Sequence, residues 1–126
     1  MPYKDRDDRL KYFRSYYARP EKRAKVLIRE ARRRRPDGLE ITEEWALERL
    51  LKGTCEVSGI PFVLDGVGQN ALSPSIDRID SSIGYTKQNS RLVVWLFNVA
   101  KGQGNDATAV RDIKKLAKAL CTPKKK

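Results

Sequence analysis

Residues 73–102 read SPSIDRIDSSIGYTKQNSRLVVWLFNVAKG, and this stretch concentrates side chains able to do chemistry. Asp77 and Asp80 stand three apart, Asn89 and Asn98 nine apart, and Lys101 follows three residues later. Carboxylate and amide oxygens are the ligands that hard divalent ions such as Mg²⁺ prefer. Arg78, directly after Asp77, brings a guanidinium suited to a phosphate oxygen. Asn89 falls in a turn region, where its amide can fix backbone or a neighbouring side chain. The chain contains no histidine, so no imidazole is available as a proton acceptor.

Two strands and a helix must position these groups. Ser75–Ile79 and Arg91–Trp95 have strand character, DSSIGYTKQN forms the long turn between them, and a helix is expected across Trp95–Lys101. In such a ββα unit Asp77 ends the first strand, Asn98 lies inside the helix, and the two side chains meet over a shared gap. Upstream, Leu10, Phe13 and Tyr17 are spaced for a helix over Asp5–Arg19, and Pro20 begins a second one bearing Ala24, Leu27, Ile28 and Ala31. Tyr12, Phe13, Tyr16 and Tyr17 are read as helix–helix packing, with stacking on bases as the alternative. Thr42 is an N-cap for a third helix, with Gly53 past its end and Trp45, Leu47, Leu50 and Leu51 available to the core. A short strand is expected around Pro61–Leu64, and Asp106 is expected to cap a final amphipathic helix carrying Val110, Ile113, Leu116, Ala117 and Leu120.

Charge divides the chain in three. Residues 1–35 hold 14 Lys/Arg against 5 Asp/Glu, residues 36–104 hold 6 against 9, and residues 105–126 hold 7 against 2. Cationic flanks around a mildly acidic centre suit a polyanion gripped at its edges, and the run Arg32, Arg33, Arg34 and Arg35 exceeds what a helix C-terminus requires. Arg91 and Lys101 are assigned to the same nucleic-acid-binding surface. Nothing approaches the roughly 20 apolar residues that span a bilayer, and MPYKDRDDRLKY lacks the apolar stretch of a secretory signal. A cytoplasmic protein without membrane contact is expected (host cytoplasm if phage-encoded). Cys55 and Cys121 are read as free thiols.

The wording CEVSGIPF, SPSIDRID, GYTKQN and the later Asn98 resembles the HNH, or His-Me finger, endonuclease family, and its small phage-type members in particular. The resemblance runs from about Cys55 to Lys101, and YKDRDDRLKYFRSYYARPEKR resembles the leader of many phage HNH proteins. It implies an α+β fold with a ββα-metal core flanked by helices. Residues 1–38 would be a basic helical DNA-binding arm, 39–121 the nuclease domain and 122–126 a basic tail. It further implies a metal-dependent endonuclease that nicks or cuts duplex DNA as monomer or homodimer. Asp77 and Asn98 would ligate one Mg²⁺ or Mn²⁺, and Asn89 would orient the group that handles the attacking water.

Two departures from the family pattern matter. The positions of its two zinc-binding Cys pairs read Cys55, Ser58, Val94 and Phe97, so no structural zinc is expected, with Trp95 and Leu96 as candidates for the packing that replaces it. The general-base His position holds Arg78, and an arginine cannot take a proton from water. Arg78 is therefore read as an electrostatic clamp. Asp80 is a candidate base or extra ligand, Tyr85 a candidate base or nucleophile, and attack by solvent hydroxide the remaining route. The competing reading is a catalytically weak or inactive DNA-binding protein that keeps the fold; a role directed at RNA is a third.

Overall fold

The computed structural model describes residues 6–64 and 70–123. Its elements are α1 (Arg6–Ala18), α2 (Pro20–Arg34), α3 (Glu43–Lys52), β1 (Pro74–Arg78), β2 (Ser90–Val94), α4 (Trp95–Lys101) and α5 (Asp106–Cys121). Met1–Asp5, most of the GVGQN loop and the final three lysines, for which a leader start, a loop and a tail are expected, lie outside the described residues.

Among the described residues the sheet is one antiparallel pair in which Ser75 faces Val93, Asp77 faces Arg91 and Arg78 faces Ser90. Side chains alternate along a strand, so Ser75 and Asp77 share one face of β1 while Ile76 points to the other. Ile76 and Leu92 join a core with Ala24, Leu27, Ile28 and Ala31 of α2, Ala46 and Leu50 of α3, and Ile41 and Tyr85. Thus α2, grouped by the sequence with an appended arm, is built into the same core as α3 and the sheet. In α3, Ala46 and Leu50 are one turn apart and buried, whereas Leu51 falls on the far side and is exposed.

Helix ends follow their caps. Thr42 accepts from the Trp45 amide, and Gly53 closes α3 in the left-handed region at φ 80°. At α5 the cap is Asn105, one residue earlier than expected; its Oδ1 accepts from the Thr108 amide and hydroxyl at 2.9 and 3.0 Å. Asp106 is thereby left free of capping in the first turn. No ladder forms over Pro61–Leu64, because the Phe62 amide donates to Gly53 and the Val63 amide to Leu72, two separate segments. Only an isolated bridge joins Thr54 and Pro61. The apolar stripe of α5 is largely unpacked: Ala109 is buried and Ile113 partly covered, but Val110, Leu116 and Leu120 are exposed.

Helix α1 buries no residue fully, and its aromatics pack against one another and against α2. Phe13 stacks on Tyr17 with ring centres 6.2 Å apart, and Arg23 of α2 covers Tyr17 at 5.4 Å. A second core holds Cys55, Val93, Val94, Phe97 and Ala109. Three of the four zinc-pair positions are therefore apolar packing partners, with the Cys55 thiol accepting from the Val94 amide at 3.4 Å. Trp95 and Leu96 are not in that cluster, and Leu96 is exposed.

Candidate active site on the β1–α4 face

Asn98 and Lys101 are one turn apart on α4 and lie on its same side. Asn98 donates from Nδ2 to Ser75 Oγ at 2.8 Å and to the Ile76 carbonyl at 3.2 Å. Because a carbonyl accepts only from a donor, these bonds fix the orientation of the amide. Its Oδ1 then points away from them and accepts no hydrogen bond among the described residues. Lys101 reaches the next inward position of β1, so Ser75–Asn98 and Asp77–Lys101 are successive contacts across one β1–α4 interface.

The Asp77 carboxylate is buried and fully engaged. Lys101 Nζ sits 3.2 Å from Oδ1 and 3.1 Å from Oδ2, and it also donates to the carbonyls of Arg78 at 2.7 Å and Ile79 at 2.9 Å. Arg91, opposite Asp77 in the strand register, donates from Nε to Oδ2 at 2.8 Å. Its Nη2 bonds Asp106 Oδ1 at 2.6 Å, and Lys101 Nζ lies 3.5 Å from that same oxygen. Two carboxylates and two cations thus close an uncharged ring at the junction of β1, β2, α4 and α5. Arg91 holds the Asp106 carboxyl below the usual carboxylate range, with Lys101 adding to the effect, against a smaller upward push from burial. Burial alone would lower the Arg91 guanidinium, but its bonds to Asp106 and Asp77 outweigh that and raise it.

This ring changes where two expected DNA contacts lie. Lys101 is read from the sequence as surface, yet its side chain is 1% exposed, because it neutralises a carboxylate that is itself buried. Arg91 is likewise directed inward, spanning Asp77 and Asp106. Asp106, whose position after a loop suggests only a cap, belongs to the same cluster. The spacing of Asn98 and Lys101 at i and i+3 was the available sign that the lysine shares the asparagine's inward face.

Asn89 is wholly occupied with the turn. Its Oδ1 accepts from the Asp80 amide at 2.9 Å, and its Nδ2 donates to the carbonyls of Asp80, Ile83 and Gly84 at 3.0, 3.3 and 3.0 Å. Asp80 is exposed, and its Oδ1 accepts from the Ser82 hydroxyl at 2.7 Å and the Ser82 amide at 2.9 Å. Those bonds hold the Asp80 carboxyl below its ordinary range. Arg78 lies over the Tyr85 ring at 5.3 Å and donates to the Ile83 carbonyl at 3.4 Å. Tyr85 is a buried core residue, which is a packing role.

The arginine run ends against this turn. Arg35 Nη1 donates to the Ser82 carbonyl at 3.4 Å, and Arg32, Arg33 and Arg34 are exposed beside it in sequence. Close backbone approach makes the junction: a Cβ on Gly84 would lie 3.1 Å from the Asp37 carbonyl oxygen. The guanidinium of Arg78 and the basic end of α2 therefore flank a single turn.

The donor types on this face fit a hard divalent cation. Asp77 offers carboxylate oxygens, Asn98 an uncommitted amide oxygen, and Arg78 and Ile79 main-chain carbonyls of the kind that coordinate such ions. That oxygen-lined spot already draws in a cation, the Lys101 ammonium. Among the described residues, no group of three or more His, Cys, Asp or Glu is gathered as a metal cluster.

A solved structure of the rare-cutting HNH restriction endonuclease PacI, described for its mechanism of DNA perturbation, superposes with a TM-score of 0.55. The match covers 79% of this chain and 78% of that one, at 19% sequence identity. The fold is HNH-like. No family model matches the chain, and no curated protein matches it in sequence. Within the HNH-like fold, β1, β2 and α4 are the ββα unit, and the Asp77–Asn98 face lies between its first strand and its helix. No helix among the described residues is long and apolar enough to cross a membrane.

Proposed function

We propose that this chain is a divalent-metal-dependent DNA endonuclease of the HNH type, hydrolysing phosphodiester bonds in duplex DNA in the cytoplasm. The observation that supports it is the common β1–α4 face: Asn98 is bonded to Ser75, Asp77 stands two residues on, and the Asn98 Oδ1 is uncommitted. Asp77 and Asn98 would hold Mg²⁺ or Mn²⁺, which when bound supplies Lewis-acid stabilisation of charge on the phosphate and leaving oxygen.

The chain's own residues supply the rest. Arg32, Arg33, Arg34 and Arg35 grip backbone phosphates, and the turn that Arg35 touches is held by Asn89. Arg78, anchored on Tyr85, clamps a phosphate oxygen and stabilises the charge that develops there. Asp80 is the acceptor available to the attacking water, but its lowered basicity makes it a weak one. General-base catalysis contributes about 10²–10⁴-fold, so turnover is slow rather than absent.

Supercoiled plasmid incubated with Mg²⁺ or Mn²⁺ tests this reading. Conversion to nicked or linear DNA by the wild type, lost in Asn98→Ala, is the expected result; equally intact plasmid with both removes the catalytic reading. A second reading, a DNA-binding module that keeps the fold without cleaving, is favoured by the complete engagement of Asp77 by Lys101 and Arg91. It predicts salt-sensitive binding with no cleavage in any metal.

A further inference from the structure

Lysine is a poor choice for a buried position unless its charge is matched, because taking an ammonium out of water costs several kcal/mol. Lys101 is matched by oxygens alone: two from Asp77 and the carbonyls of Arg78 and Ile79, all within 3.2 Å. A carboxylate with main-chain carbonyls is the environment that a hard metal ion also seeks. The ammonium and a metal ion would therefore claim the same Asp77 oxygens. Both cannot be satisfied together, since Arg91 already supplies one positive charge to Oδ2 and two further charges would face each other a few ångströms apart.

The ring also provides somewhere for the ammonium to go. Asp106 Oδ1 is 3.5 Å from Lys101 Nζ, and this carboxylate is 44% exposed, so a small rotation of the lysine chain transfers it from Asp77 to Asp106 without leaving it unpaired. Four rotatable bonds make that movement available to lysine.

Resting on the endonuclease reading above, we infer that Lys101 is a built-in competitor for the cation site, holding the Asp77 carboxylate until a divalent ion displaces its ammonium toward Asp106. The lysine thus sets the metal concentration at which the site fills. It is a positioning residue and takes no part in the bond-breaking.

Mn²⁺ alone is the probe. Its binding to wild type and Lys101→Met is measured by titration calorimetry and by the paramagnetic resonance signal of free Mn²⁺, with circular dichroism confirming folded protein. Lys101→Met should bind Mn²⁺ at least roughly tenfold more tightly, a tenfold change being one increment of about 1.4 kcal/mol. The gain should vanish when Asp77→Asn is added. Equal or weaker binding by Lys101→Met, or a gain that survives Asp77→Asn, overturns the inference while leaving the endonuclease reading in place. Absence of Mn²⁺ binding by both folded proteins overturns the inference and the metal site together. Should Lys101→Met fail to fold, Lys101→Gln is judged by the same outcomes.

Discussion

The ammonium of Lys101 is centred on the carboxylate of Asp77, 3.2 Å from one oxygen and 3.1 Å from the other. Because both side chains are buried, substituting Asp77 disturbs the fold as well as the site, and this dictates which substitutions report on function.

Asp77→Ala removes the buried one of the two carboxylates that Lys101 and Arg91 share, leaving two cations against Asp106 alone. Removing one partner from a buried pair costs about 3–5 kcal/mol. Urea denaturation should show a clear drop in midpoint for Asp77→Ala, and loss of cleavage there would be uninformative. Asn98→Ala removes two bonds, to Ser75 and Ile76, a loss of about 1–3 kcal/mol and less than breaking the buried ion pair. It should stay folded and lose plasmid nicking.

Acid should weaken the fold through Asp106. Its carboxyl sits below the usual range because Arg91 bonds the charged form. The stabilisation is therefore complete above the unfolded value of about 3.9 and is lost as pH falls through the lower folded value. Melting temperatures taken from pH 7 down to pH 2 should fall steeply in the wild type at the acid end. Asp106→Asn should start lower, decline less, and meet the wild type near the bottom of that range.

Asn89 should behave as a structural clamp. Its amide serves three carbonyls and one main-chain N–H, so Asn89→Ala strands several polar groups of the turn. An unsatisfied buried group costs about 1–3 kcal/mol. Asn89→Asp should do no better, since a carboxylate accepts but cannot donate to the carbonyls of Asp80, Ile83 and Gly84. Hydrogen exchange at the amides of residues 79–89 is the readout, and both variants should exchange faster there.

If the exposed arginines at the end of α2 contact phosphates, each one removed should reduce the slope of log affinity against log salt by about 0.9 for duplex DNA. Arg32→Ala, Arg33→Ala and Arg34→Ala should each show this in fluorescence anisotropy. Lys101→Met should leave the slope unchanged, because its ammonium is buried.

Much of this arrangement can be read in the sequence. Pro20, Thr42 and Gly53 mark helix boundaries by rules of local sterics, and the two strands fall within a residue of their expected positions. The ββα topology followed because strand, turn and helix leave few alternatives over so short a stretch. The burial of Lys101 and Arg91 was hidden, since basic residues in a strongly basic chain read as surface until their partners are known. Asp77 meets Arg91 only through the register of the strand pair, and Lys101 and Asp106 join them only by tertiary packing. The cap of α5 was ambiguous because Asn105 and Asp106 are both good capping residues, and Thr108, three beyond Asn105, decided it. Pro61–Leu64 has strand composition but finds its hydrogen-bond partners in two segments, which no local pattern encodes.

The central claim is that Asp77 and Asn98 share one cation. Crystals soaked in Mn²⁺ and measured at the manganese absorption edge test it directly. One anomalous peak is expected within about 2–2.5 Å of an Asp77 carboxylate oxygen and of Asn98 Oδ1, with the Lys101 ammonium moved away. Full-strength data with no peak there, and Lys101 still seated on Asp77, would contradict it.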